Sequence, residues 1–216
     1  MTSESRQICS QCGHERSASA AAAGLCAHCL LKAGCGHDYL VVNVLGQGQH
    51  GTVYLAEQQP SGRLVALKVF APGGEADDIL SRVRWQAPLL EALAHPCAAR
   101  MLDIGLNEQQ RPYVATEYIR GAPITRHCER ANSASPDRLE LLAHVRALLR
   151  AVHKRGVAHG AIKASNILVS RNPRGPAVTV TDFGMQPGDK SGDDLALMTL
   201  ADELLQPVDA CGQFHL

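Results

Sequence analysis

Two groups of residues in this chain have the types and spacing to do chemistry. The first is a pair of C-x-x-C knuckles, Cys9 with Cys12 and Cys26 with Cys29. Two residues between thiolates let both sulfurs point at one tetrahedral ion, and a second knuckle completes the ligand set of a structural zinc site. Four thiolates leave no open coordination position, which argues against a catalytic zinc. The second group is Gly46-Gln47-Gly48-Gln49-His50-Gly51-Thr52-Val53, which fits G-x-G-x-x-G-x-V. Glycines at this spacing let a backbone approach phosphates closely. The next apolar run carries Val65-Ala66-Leu67-Lys68, with a lysine placed to reach phosphates under such a loop. The glycines sit between two strand-like runs and no helical pattern follows them, which argues against a dinucleotide-binding loop.

The elements that must position these groups follow from periodicity. Tyr39 to Leu45, Thr52 to Ala56 and Leu64 to Phe70 are runs of β-formers, and Pro60-Ser61-Gly62 supplies a turn, so an antiparallel meander is expected. A helix is expected from about Ala76 to Leu93, then short runs around Arg100 to Ile104 and Tyr113 to Tyr118. From about residue 121 the pattern is mainly helical. Ser135 and Pro136 read as an N-cap and first helical position, and Leu139, Leu142, Val145, Leu148 and Val152 form one apolar stripe that Gly156 is placed to end. Ile167 to Val169 and Val178 to Val180 bracket a hairpin turn at Asn172, Pro173 and Gly175.

Composition narrows the function classes. Lys plus Arg and Asp plus Glu are 21 each among 216 residues, and the charges are dispersed, so bulk charge does not point to nucleic acid. No segment has the roughly 18 consecutive apolar residues of a membrane span, and the polar start lacks a signal-peptide pattern. A cytoplasmic protein is expected, with its thiols reduced. That compartment favours zinc over a disulfide framework, or over an unfolded leader, for residues 1–37. A segment this short usually needs a metal or cross-links to fold, and structural zinc supplies roughly 10 kcal/mol or more. His14 and His28 flank the knuckles as substitute ligands, with Cys35 and His37 weaker candidates; Cys97, Cys128 and Cys211 are isolated.

The ordered motifs together resemble the eukaryotic-type serine/threonine protein kinases of bacteria. The similar stretches are LGQGQHGTVYLAEQ (45–58), LVALKVF (64–70), HPCAARMLDIG (95–105), RPYVATEYIRGAPITRHC (111–128), GVAHGAIKASNILV (156–169) and TDFG (181–184). The resemblance implies an ATP site in which Thr116 is the gatekeeper and the backbones of Glu117 and Ile119 hold the adenine. Val53 and Ala66 would sandwich the base, under Gly46, Gly48 and Gly51, with Lys68 on the phosphates. It also implies that Asp182 and Asn166 hold Mg2+, and that Lys163 is the lysine common in the catalytic loop.

The sequence departs from that family at three places. Where kinases carry H-R-D, this chain has His159-Gly160-Ala161, so no side-chain oxygen can orient a substrate hydroxyl. Losing a positioned base commonly costs about 10² to 10⁴ in rate. Counting back from His95-Pro96, Gln86 falls where the glutamate partner of Lys68 is expected, and Pro88 should kink or break that helix. Only Met185 to Gly192 then separate Gly184 from a helix expected over Asp193 to Leu205, so the activation segment is almost absent. The expected fold is therefore α+β: a zinc ribbon (1–37), then a protein-kinase-like domain (38–216) with a β-rich N-lobe (38–120) and a truncated helical C-lobe (121–216). The expected function is an ATP-binding pseudokinase with a regulatory or scaffolding role, using ATP, Mg2+ and structural Zn2+. A protein partner is expected through the truncated C-lobe or the ribbon, and neither membrane nor nucleic acid. The alternatives are an active serine/threonine kinase, a zinc-ribbon interaction scaffold that binds no nucleotide, and a decayed product with no stable fold.

The zinc reading is checked by metal analysis of the chain purified under reducing conditions. About one zinc per chain is expected, lost in Cys26→Ser. A zinc-free chain with an unchanged unfolding transition would remove the ribbon.

Overall fold

The strand-forming runs expected between residues 39 and 118 build one five-stranded sheet. The structure is a computed structural model, and it describes residues 38–48, 51–71, 75–107, 110–173 and 175–206. The knuckles Cys9, Cys12, Cys26 and Cys29 lie outside the described residues. The chain divides into two units, Met1–Leu80 with Met101–Tyr118 and Ser81–Arg100 with Ile119–Leu216.

In the first unit β1 (Tyr39–Gly48), β2 (Gly51–Gln58) and β3 (Arg63–Phe70) form the expected meander, and β5 (Pro112–Glu117) and β4 (Met101–Leu106) extend it in the order β1-β2-β3-β5-β4. All these pairs are antiparallel. Side chains alternate across a strand with period two, so each strand has a core face and an opposite face. Tyr54 and Ala56 of β2 and Val65, Leu67 and Val69 of β3 go into a core with Tyr39, Tyr113 and Ala115. The hydroxyls of Tyr39 and Tyr113 both donate to Asp103 Oδ2, at 3.0 and 2.8 Å, so one carboxylate satisfies both of these polar tips. Val53, Ala66 and Lys68 lie on the other face.

Helix α1 (Glu75–Leu93) starts in the first unit and ends in the second. Pro88 lies inside it and does not break it, contrary to the sequence expectation. Proline removes its own N–H bond to the carbonyl four residues back, that of Arg84. Arg84 and Pro88 are both exposed, so water can take the orphaned carbonyl and the turn survives.

The second unit continues with β6 (Gly121–Pro123), α2 (Ile124–Arg130), α3 (Ser135–His153), a 3-10 turn at Ala164–Asn166, β7 (Ile167–Asn172), β8 (Gly175–Val180) and α4 (Lys190–Leu205). The strands pair β6-β7-β8, and Asn172 sits opposite Gly175 across the expected hairpin turn. Leu142, Val145, Leu148 and Val152 of α3 are buried with Leu197, Leu200 and Leu204 of α4 and with Ile167, Val169, Val178, Val180 and Phe183. Two details correct the sequence reading. The buried face of α3 includes Leu141 and Leu149, whereas Leu139 is 51% exposed. The N-cap is Ala134, with no side-chain cap, and Ser135 and Pro136 are the first two helical residues. Helix α4 begins three residues before the expected Asp193, where Asp189 Oδ1 accepts from Gly192 N at 2.7 Å. Among the described residues no helix is long and apolar enough to cross a membrane.

Leu148 is fully buried between these elements. Leu148→Ala should lower unfolding stability by about 3 kcal/mol in urea titration, and Leu139→Ala by under about 0.5 kcal/mol. Equal effects would mean that the α3 stripe is misassigned.

Candidate functional site

The first unit carries the expected phosphate loop on the β1–β2 hairpin. Gly46 pairs with Val53 and Gly48 with Gly51. A Cβ built on Gly46 or Gly48 meets nothing within 4 Å, so that backbone is open to an approaching group. Gly51 is different. Its φ is +139°, and a Cβ there would lie 2.2 Å from Val69 O, so only glycine lets β2 run this close to β3. Gln49 and His50 lie outside the described residues.

Register places the expected base-contacting and phosphate-contacting residues on one face of this sheet. Val53 is opposite Lys68, and Ala66 is opposite both Leu55 and Thr116. Thr116 Oγ1 lies 3.5 Å from Ala66 O. The Lys68 ammonium stands 5.8 Å from the centre of the Phe70 ring, within cation–π range. Glu117 ends β5, Ile119 begins the second unit, and Ile119 O accepts from Gly121 N at 2.9 Å.

In the second unit the loop 157–166 is held almost wholly through its backbone. Asp193, only 2% exposed at the start of α4, accepts from His159 N (2.7 Å, Oδ2) and Gly160 N (2.8 Å, Oδ1). His153 Nε2 lies 2.9 Å from Asp193 Oδ2, which completes the carboxylate's partners. Asn166 Nδ2 donates to Ala161 O at 2.8 Å, and Asn166 O accepts from Thr181 N at 2.9 Å. Ala161, Asn166 and the residue preceding Asp182 thus form one hydrogen-bonded unit. Asp182 has φ +66°, a left-handed conformation that aspartate tolerates better than most residues. Lys163 is exposed on the same loop.

His159 is fully buried and its tautomer follows from its partners. Nε2 lies 2.8 Å from Thr181 O, which only accepts, so Nε2 carries the proton. Nδ1 then accepts from Ala161 N at 3.1 Å. The ring also packs on Phe183, with centroids 4.5 Å apart. Burial pushes the His159 pKa below its ordinary value of 6.5, against the opposing Thr181 bond and the Asp193 and Asp182 charges.

Three features of this site were not read from the sequence. In the sequence Asp193 is only the first residue of an expected helix, and its role as the anchor of the loop needs the fold. Gln86, 95% buried by its 5% exposure, donates Nε2 to Ala158 O at 3.2 Å, and among the described residues its Oε1 has no partner. Gly160 is more than an absent arginine. Its φ is +79°, a Cβ there would lie 2.4 Å from Gln186 O, and a Cβ on Gly188 would lie 2.3 Å from Gly160 Cα. Gln186 to Gly188, in the link Met185–Asp189 from Gly184 to α4, pass against the loop at that point. Nothing local in the sequence links Gly160 to Gly188.

No three His, Cys, Asp or Glu side chains converge on a cation position among the described residues. Asp182 and Asn166 each carry a hard oxygen donor of the kind that Mg2+ takes.

The protein kinase domain family matches residues 39–198. The chain is 31% identical over 150 residues to the probable serine/threonine-protein kinase PknB of Lactococcus lactis, covering 68% of this chain and 23% of that one. It is 33% identical over 153 residues to the serine/threonine-protein kinase Pkn1 of Myxococcus xanthus, covering 70% and 22%. The chain therefore spans less than a quarter of the length of these relatives. Among solved structures, the Mycobacterium tuberculosis PknI kinase domain aligns with a TM-score of 0.64 at 25% identity, over 78% of this chain and 74% of that one.

His159 makes stability depend on pH. Its folded pKa is lower than its unfolded value, so the unfolded chain binds more protons as pH falls. Stability should be full above about pH 6.5 and decline below it. Urea midpoints should fall between about pH 7 and 5.5, and fall less in His159→Gln. An equal decline in both would assign the effect to other groups.

Proposed function

We propose that this chain, which belongs to the protein kinase family, binds Mg-ATP without efficiently transferring its phosphate and acts as a regulatory pseudokinase. The observation that carries this reading is the loop around Ala161. Its backbone is fully braced by Asp193, Asn166 and His159, so the scaffold is intact, yet the residue at its reactive position ends in a methyl group.

The residues present fit the nucleotide. Gly46 and Gly48 leave open backbone for phosphates, and Lys68 supplies a cation on β3 opposite Val53. Val53 and Ala66 offer apolar contact, with Glu117 and Ile119 as the backbone partners of the adenine. Asp182 and Asn166 are the magnesium ligands on this reading. Phosphoryl transfer is mostly positioning plus electrostatic stabilisation, with a residue that takes or orients the hydroxyl proton. Ala161 can do neither. Gln86 donates to Ala158 O, which commits its amide to the loop, and it carries no charge to neutralise a lysine. Met185–Asp189 is also too short to present a peptide, and it packs on Gly160 where the family carries arginine.

Thermal unfolding with zinc present tests the reading. Mg-ATP at about 100 times its Kd should stabilise by about 2.7 kcal/mol and raise Tm by roughly 5–10 °C, and Lys68→Met should abolish the shift. No shift in the unmutated chain would leave a scaffold that binds no nucleotide. Labelled phosphate transfer lost in Lys68→Met would make the protein an active kinase.

A further inference from the structure

The surface of the second unit carries a groove that the nucleotide reading does not use. It lies between α3 and α4, with a volume of about 1060 Å³. Leu139, Leu142, Leu197 and Met198 make its floor apolar, and Leu139 and Met198 are 51% and 64% exposed. Exposed apolar surface of this kind, rimmed by polar groups, marks an interaction site.

The α3 side of the rim is cationic. Arg146 and Arg150 of α3 and its C-cap Lys154 stand at intervals of four residues, and Lys190 sits at the start of α4. Among the described residues none of these four cations forms an ion pair, and Asp194 is the one carboxylate in the lining besides them. Residues four apart on a helix are neighbours about 6 Å apart along its axis. The row therefore matches carboxylates spaced by four residues on a second helix laid along α3.

We propose that this groove docks an acidic amphipathic helix of a partner protein, its leucine-type face on the floor and its Glu or Asp row against Arg146, Arg150 and Lys154. Helix-in-groove recognition uses apolar anchors at this spacing. Other occupants fit less well. A second copy in a two-fold dimer would set this cationic rim against itself. A flat anionic bilayer does not enter a concave groove. Nucleic acid gains nothing from a floor of Leu and Met. The proposal stands whether or not the chain binds ATP.

The test uses the full chain and a fluorescent synthetic helical peptide of about four turns, with Leu on one face and Glu at every fourth position beside it. Its Lys-for-Glu counterpart is the control. The expected result is binding of the Glu peptide at least tenfold tighter than the Lys peptide. Arg150→Glu with Lys154→Glu, and separately Met198→Asp, should each weaken it at least tenfold. These positions are exposed, and an unchanged thermal transition verifies that the variants fold. Equal binding of both peptides, or binding unaffected by either variant, overturns the proposal. So does self-association by sedimentation that Met198→Asp abolishes, or tighter capture by phosphatidylglycerol vesicles than by the peptide.

Discussion

The carboxylate of Asp193 is the group on which the second unit's chemistry hangs. A buried carboxylate is costly unless hydrogen bonds replace its water. Here His159 N, Gly160 N and His153 supply them, and such charge-assisted bonds are stronger than neutral ones. They tie the loop to α4, whose leucines are set in the core. From the loop, the bonds pass outward through His159 to Thr181 and through Asn166 to Ala161 and Thr181. The positions of Asn166 and Asp182 are thus inherited from one helix.

The first unit works by a different physics. Its candidate residues are placed by strand register, where a pairing of Val53 with Lys68 and of Ala66 with Thr116 follows from the pleat. The core face beneath is apolar and dense, so a register slip would bury Lys68 and expose Leu67. What the molecule retains in both units is placement. What it lacks is a side-chain oxygen on Ala161, and that loss disturbs none of the bonds around it.

Much of this was legible in the sequence because its signals are local. The glycine spacing, Val65-Ala66-Leu67-Lys68 and Thr181-Asp182-Phe183-Gly184 announce themselves within a few residues. The strand and helix runs do so through periodicity. What remained hidden depends on contacts distant in the chain. Pro88 reads as a breaker unless one knows that Arg84 and Pro88 face water. Leu139 continues the apolar stripe of α3 but lies beyond the part that α4 covers. Asp193 is one of two adjacent aspartates, Asp193 and Asp194, and only the fold tells the buried one from the exposed one. The cysteine knuckles are legible as a pattern, and their structure lies outside the described residues.

The close approach of Gly160 and Gly188 has a steric consequence for substitution. With a prospective Cβ only 2.3 Å from the opposite backbone, neither position has room for a side chain while the link Met185–Asp189 keeps its present length. An arginine at Gly160 would require the link to be longer or displaced, and it would also sit at a φ of +79° that glycine alone adopts freely. The glycine at 160 and the short link Met185–Asp189 are therefore sterically one feature.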